Sequence, residues 1–316
     1  MDFISYIFGY LLNFLYVIFN NYGIAIIVFS IILKLILLPI TIKQQKSMKK
    51  NAQMQGEMKK LQLKYKNNPE KLNQETMELY KREKFSPFSG CLSSILQIVI
   101  ILAVFWLVSQ PLKFMKNIKS DDPIIQDYST KIQQEAEGKQ ASYQEIAIID
   151  RIETEYKNIE EQLKSEEVEN REELENKKNE LNKYRINMEF LGLDLSKVPT
   201  QSLNDWKVYV IPGLYVITSF ISIRITSKSQ KKMQELGKKK DIVVNGDKPE
   251  EPDQMESMQQ MSNSMMYMMP IMSITIAAVA PLGLALYWLV SNILMIVERL
   301  VIDKIMLSKE DEVNDK

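Results

Sequence analysis

Histidine is absent from the 316-residue sequence, and cysteine occurs once, at Cys91. The first absence removes the usual general base and the commonest metal ligand, and with them Ser/His and Cys/His triads and most zinc chemistry. The second excludes an intramolecular disulfide framework. No GxxxxGK[ST] phosphate loop occurs either. The expectation is a protein that is not an enzyme and needs no metal or cofactor.

Charge is also missing from long tracts, although 40 Lys+Arg balance 40 Asp+Glu over the whole chain. Residues 3–33, 85–112 and 257–297 carry none, and 208–227 carry only Arg224. The mean hydropathy of −0.17 is that of a soluble protein. Uncharged apolar runs this long are nevertheless transmembrane candidates, because a hydrocarbon core ~30 Å thick takes ~20 helical residues. A soluble globular enzyme is excluded, and the zero net charge says nothing about acidic or basic partners. The N-terminal MDFISYIFGYLLNFLYVIFNN has no basic n-region and no small-residue cleavage site. No cleaved secretory signal is therefore expected, and no CaaX-type prenylation.

The first uncharged run is too long for one crossing, and Asn20, Asn21, Tyr22 and Gly23 divide it. Before that break, Asp2, Ser5, Tyr6, Gly9, Asn13, Tyr16 and Asn20 fall on one helical face, with Ile4, Ile7, Leu11, Leu12, Leu15 and Ile18 on the other. Residues 1–20 are expected as an amphipathic helix lying in the interface, the alternative being a further span paired with the next as a hairpin. Five spans follow, at 22–42, 89–110, 206–227, 261–280 and 282–302. Ala280, Pro281, Leu282 and Gly283 break the last two apart.

Orientation follows from the loop cations. Residues 43–84 hold 12 Lys+Arg against 5 Asp+Glu, and Lys228, Lys231 and Lys232 follow the third span, whereas 113–207 hold 15 against 21. The first loop (43–86) and the loop 228–260 are therefore expected in the cytoplasm and the insert 111–205 outside. The N-terminus is then outside and the tail 303–316 inside. The first loop, with a turn signal at Asn67, Asn68 and Pro69, reads as a helical hairpin with arms of about 25 and 16 residues. In the insert, Ile152, Tyr156, Ile159, Leu163, Leu174 and Leu181 recur in a Glu/Lys background. That pattern fits one long helix or a coiled-coil hairpin bent near 165–170. Residues 241–253, with Gly246, Pro249 and Pro252, read as a linker.

Lys34 is the most informative residue. It lies nine positions before Lys43, about 13 Å along a helix axis, where an ammonium costs ~2.5 to 3.5 kcal/mol on insertion scales. Glu298 falls near a span end, so no acid is expected deep enough to pair with Lys34, which must then face a water-filled recess. The alternative is a mis-set span or a lysine paired with a structural acid. Ser30, Gln97, Tyr287, Trp288, Ser291 and Asn292 could line the recess, although taken singly each is more often contact between helices than a binding site. Methionine is abundant, with Met255, Met258, Met261, Met265, Met266, Met268, Met269 and Met272 before or within the fourth span and Met48, Met54 and Met58 in the first loop. Such residues either fill irregular packing space or offer a pliable surface to varied apolar segments.

The runs NYGIAIIVFSIILKLILLPITIKQQKSMKK, YKREKFSPFSGCLSSILQ, FLGLDLS and MMYMMPIMSITIAAVAPLGLALYWLVSN together resemble the YidC/Oxa1/Alb3 family of membrane protein insertases in its five-span bacterial form. PxGLxLYWxxSN and GCLxxxxQ are the specific elements. The resemblance implies an all-α polytopic fold in which five transmembrane helices enclose a positively charged hydrophilic groove, open to cytoplasm and lipid and closed to the outside. It implies that Lys34 stands at the groove arginine's position, five residues before Pro39, that Ser30, Gln97 and Trp288 line the groove, and that the cytoplasmic hairpin with Met48, Met54 and Met58 receives clients. Several positions depart from the family pattern: Lys34 replaces Arg, Ser86 replaces Asn, and Ser93 and Val99 replace prolines. Lysine keeps the charge but loses the planar fork that grips a carboxylate at two points. The external insert is long for the family.

The expected function is that of a bacterial plasma-membrane insertase and chaperone. It moves short hydrophilic tails of clients through the groove and releases their transmembrane segments into lipid. Nascent membrane proteins and lipids are the implied partners, with the Sec translocon and the ribosome as further candidates, and the groove binds no nucleic acid. Two other classes fit the residues less well. A secondary transporter using Lys34 as coupling charge should show paired repeats, and a membrane-anchored helical scaffold leaves Lys34 unexplained.

Overall fold

The computed structural model describes residues 2–65, 68–83, 89–135, 143–165, 170–238 and 275–314. Its helices, in chain order, are α1 (Asp2–Phe19), α2 (Tyr22–Lys64), α3 (Pro69–Arg82), α4 (Ser89–Ser109), α5 (Pro111–Phe114), α6 (Pro123–Glu135), α7 (Gln144–Gln162), α8 (Arg171–Asn182), α9 (Val210–Lys238) and α10 (Leu282–Asn314). Among the described residues four stretches are long and apolar enough to cross a membrane, Asp2–Phe19, Tyr22–Ser47, Trp206–Lys228 and Leu282–Ile302, and Ile95–Ser109 is a shorter apolar one. The span expected at 261–280 lies mostly outside the described residues, as do the linker 241–253 and the methionines from Met255 to Met272. Large apolar side chains such as Phe14, Ile36, Phe220 and Val301 stand exposed along these helices, which suits hydrocarbon rather than water.

The chain divides into two compact units. The first comprises Met1–Leu33, Val99–Val216 and Ile274–Ser291. Here α1 departs from its expected environment: the polar stripe predicted to face water packs on protein. Ser5 Oγ donates to the Ala103 carbonyl at 3.0 Å, and the Tyr16 hydroxyl accepts from the Asn187 N–H at 2.7 Å. A Cβ on Gly9 would lie 1.9 Å from the Phe114 carbonyl oxygen. Small and polar residues let backbones approach closely, so this stripe is a packing seam, while Phe3, Ile7, Tyr10 and Val17 point outward.

The insert resolves the alternative left open by its heptad-like pattern. α7 and α8 run antiparallel, held by Lys178 to Glu160 at 3.0 Å and by the Lys177–Glu155 pair, with Ile152, Ile159 and Leu181 buried. The Arg185 guanidinium lies 3.5 Å from the centroid of the Tyr156 ring and also pairs with Glu153 at 2.7 Å. α6 packs on α7 as well, through Tyr128, whose hydroxyl donates to Glu155 at 2.6 Å.

The fold is not wholly α. Glu189–Phe190 (β1) pairs antiparallel with Leu193–Asp194 (β2) around a turn in which Leu191 (φ 53°) and Gly192 (φ 74°) both take left-handed backbone, the geometry of a two-residue hairpin. Strands of two residues are too short to show alternation in sequence. The flanking chain supplies carbonyls to helix starts whose first N–H groups have no partner within the helix. Tyr22 N donates to Asn187 O at 3.0 Å, Leu282 N to Lys197 O at 2.9 Å and Gly283 N to Leu195 O at 2.9 Å. Asn21 completes the α2 start, accepting from Ile24 N at 3.0 Å.

The second unit comprises Lys34–Ile98, Ile217–Ser273 and Asn292–Lys316. α2 continues unbroken past the expected boundary at 42/43 and through Pro39, so a single helix carries both the first span and one hairpin arm. Asn68 caps α3, its side chain accepting from Lys71 N at 3.1 Å. Arg82 meets Glu57 at 2.8 Å and the Tyr65 hydroxyl donates to Glu75 at 3.1 Å, contacts that set α3 antiparallel to the C-terminal part of α2.

Candidate functional site

Lys34 sits where α2 is otherwise uncharged from Tyr22 to Ile42, and its side chain is 24% exposed. Its ammonium is not alone. Nζ lies 2.5 Å from Glu298 Oε2, on a side chain only 6% exposed. This corrects the expectation that no acid could reach Lys34. The sequence places Glu298 near the end of a span bounded at 302, whereas α10 is a 33-residue helix that continues to Asn314. Which level of α10 faces Lys34 depends on the axial register of two helices, and that register is not written in either one. Lysine engages one carboxylate oxygen, and the other, Glu298 Oε1, is buried without a hydrogen-bond partner among the described residues. Next along, Arg299 Nη1 donates to Thr226 Oγ1 on α9 at 2.9 Å.

Asn292, in the same unit, is buried and donates from Nδ2 to Thr218 Oγ1 at 3.1 Å and to Ser219 Oγ at 3.2 Å. It joins α10 to α9, the inter-helix role weighed for it from sequence. Gln97 is exposed on α4.

Ser30, Tyr287, Trp288 and Ser291 belong to the first unit. Ser30 is buried with its hydroxyl turned back onto the Ile26 carbonyl at 2.7 Å, so its donor is used within α2. Tyr287 is buried and hydrogen-bonds Ser291 one turn on. The half-buried Trp288 stacks at a tilt on Tyr215, with ring centroids 6.3 Å apart.

In the hairpin, Met54 is 5% exposed and Met58 half-buried, so Met54 packs inward instead of presenting a surface. The side chain of Met48 lies outside the described residues. Sequence reasoning misses two residues of consequence. Glu298 is visible in the sequence but reads as too close to a span end. Glu145, one acid among many in the insert, accepts from Leu112 N at 2.8 Å and Lys113 N at 3.1 Å, and burial pushes its carboxyl up to about 7. Nothing in its sequence neighbourhood marks it.

Comparison with known proteins agrees with a membrane chain of this kind. Curated bacterial relatives bear the description "Membrane protein insertase YidC". The one from Fusobacterium nucleatum is 44% identical over 108 residues, covering 32% of this chain and 53% of the relative. Those from Caldanaerobacter subterraneus and Clostridium perfringens are 42% and 46% identical over 100 and 87 residues, covering 32% and 28% of this chain and 48% and 37% of the relatives. The match thus spans about half the length of the first two. A family model described as "60Kd inner membrane protein" matches residues 14–310, nearly the whole chain, and the protein belongs to that family, the YidC/Oxa1 group.

Proposed function

We propose that the protein is a membrane protein insertase of the bacterial plasma membrane, with five spans, an external N-terminus and a cytoplasmic C-terminus. The observation that carries the reading is the cation at Lys34, held inside otherwise uncharged helix and paired with Glu298. A buried ion pair is costly to maintain and adds little stability that well-packed apolar residues would not, so its presence in a span points to use. Intramembrane ionisable groups mark pathways for polar cargo.

In this reading a client's hydrophilic tail enters from the cytoplasm, and its acidic or polar groups meet Lys34. That contact lowers the cost of leaving water, and the client's apolar segment then passes into lipid. Gln97 and Asn292, in the same unit as Lys34, line the route, and the basic hairpin receives the client first. No bond is made or broken, so neither nucleotide nor cofactor is required. Family membership and the relatives' descriptions support insertion in general, and the residue assignments are ours.

Reconstitution tests this. Proteoliposomes holding the purified protein, without nucleotide, should integrate a short single-span client with an acidic translocated tail. Replacing Lys34 and Glu298 together by glutamine removes the ion pair without leaving a lone buried charge, and should lower that insertion by about tenfold. A transporter or a scaffold would integrate no client, and equal insertion by the neutral pair would remove Lys34 from the mechanism.

A further inference from the structure

We propose that Glu298 is the resident counter-ion of Lys34 and sets how acidic a client tail must be to be accepted, because a tail carboxylate has to displace Glu298 before it can reach the ammonium. The inference rests on the insertase reading and adds a specificity-determining residue to it.

Three observations support competition over a purely structural pair. First, Lys34 meets Glu298 through one oxygen at 2.5 Å while Oε1 is left without a partner among the described residues. A carboxylate buried on these terms gives up hydration for a single ionic contact, whereas a fully committed pair satisfies both oxygens. Second, Glu298 points inward: Ile302 one turn on is buried, whereas Val297, Leu300 and Val301 are exposed. The acid is therefore aimed at Lys34 and not at lipid or at the helix end. Third, the Lys34 side chain is partly exposed and the Glu298 side chain is not, at 24% against 6%. An incoming anion would approach from the Lys34 side, where a point charge with three rotatable donors can exchange one acceptor for another.

The consequence is quantitative. A binding group available only in the fraction of molecules whose internal pair is open binds its ligand more weakly by that fraction. Occupied by Glu298, Lys34 is blind to a weakly acidic tail and answers only to one that outcompetes the internal acid. Freed of Glu298, it should respond to any tail carboxylate.

The test uses the full chain in proteoliposomes and two single-span clients that differ only in the tail, one bearing several Glu residues and the other Gln at the same positions. The readout is the ratio of acidic-tail to neutral-tail insertion at matched protein levels. Glu298→Gln should raise this ratio between about threefold and tenfold over the wild type, and the same substitution on a Lys34→Gln background should not. Should Glu298→Gln fail to accumulate in membranes, Glu298→Asp gives the same readout, since it keeps the charge but withdraws it from Lys34 by one methylene. An unchanged or lowered ratio, or an equal rise on both backgrounds, overturns the inference. The two failures are separable. If the doubly neutral variant inserts the acidic client as well as wild type, the insertase role of Lys34 falls. If that variant is impaired while Glu298→Gln leaves the ratio unchanged, only the role of Glu298 falls.

Discussion

At the scale of single residues, Glu145 is a group outside the spans whose protonation the fold shifts into the neutral range. Burial raises its carboxyl to about 7, against the N–H groups of Lys113 and Leu112 and the Lys113 ammonium, which pull it down. An unfolded glutamate titrates near ~4.3, so the folded state holds this proton more tightly. The resulting stabilisation is complete below the unfolded value and is lost as pH rises through about 7. Each pH interval of one between the unfolded and folded values is worth about 1.4 kcal/mol, and with some exposure to discount the loss is at most about 3 kcal/mol. The melting temperature in detergent should therefore fall as pH is raised from about 5 to about 8. Glu145→Gln, which keeps an acceptor for Leu112 N and Lys113 N, should flatten that slope, and an unaltered slope would place the titration on another group. Lys34 was legible because one cation in a long uncharged run is visible to counting. Glu145 was not, because its distinction is the pair of backbone donors that tertiary packing brings to it.

At the scale of elements, the insert 111–205 is part of the structural support. Its sequence marks it only as long for the family it resembles. In the fold, Ile148, Ile149 and Ile152 of α7 are buried, Asp150 holds Lys197 at 3.1 Å and Ser196 at 3.2 Å, and the chain from Asn187 to Lys197 supplies the carbonyls that start α2 and α10. Replacing residues 121–183 by a Gly/Ser linker should therefore cost stability, about 1.5 to 3 kcal/mol for each buried isoleucine lost. Removing residues 52–78 of the hairpin should leave the melting temperature near wild type and abolish insertion of simple clients. Equal melting temperatures for the two deletions would show that residues 187–197 hold their place without α6 to α8. The helical nature of both regions was legible from apolar spacing and turn residues. The antiparallel arrangement of α7 and α8 was not, because spacings of three and four fit a single helix and a hairpin alike.

For the whole molecule, the remaining expectation is topology. Single cysteines at Glu161 and at Lys60, both exposed positions, in a Cys91→Ser background should react differently with a membrane-impermeant thiol reagent on intact cells. Only the Glu161 site should label, and labelling at Lys60 without lysis would overturn the orientation. The sequence by itself determined the membrane class, the lone cation in a long apolar run and the family resemblance. Each of these rests on costs or motifs counted along the chain, such as the cost of a charge in hydrocarbon, which applies residue by residue. The tertiary structure alone decided that Lys34 faces Glu298, that the polar stripe of α1 packs on protein, and that a short hairpin caps two helices. These contacts join residues far apart in the chain, and they depend on how helices are rotated and shifted against one another, which the periodicity of a single helix leaves free.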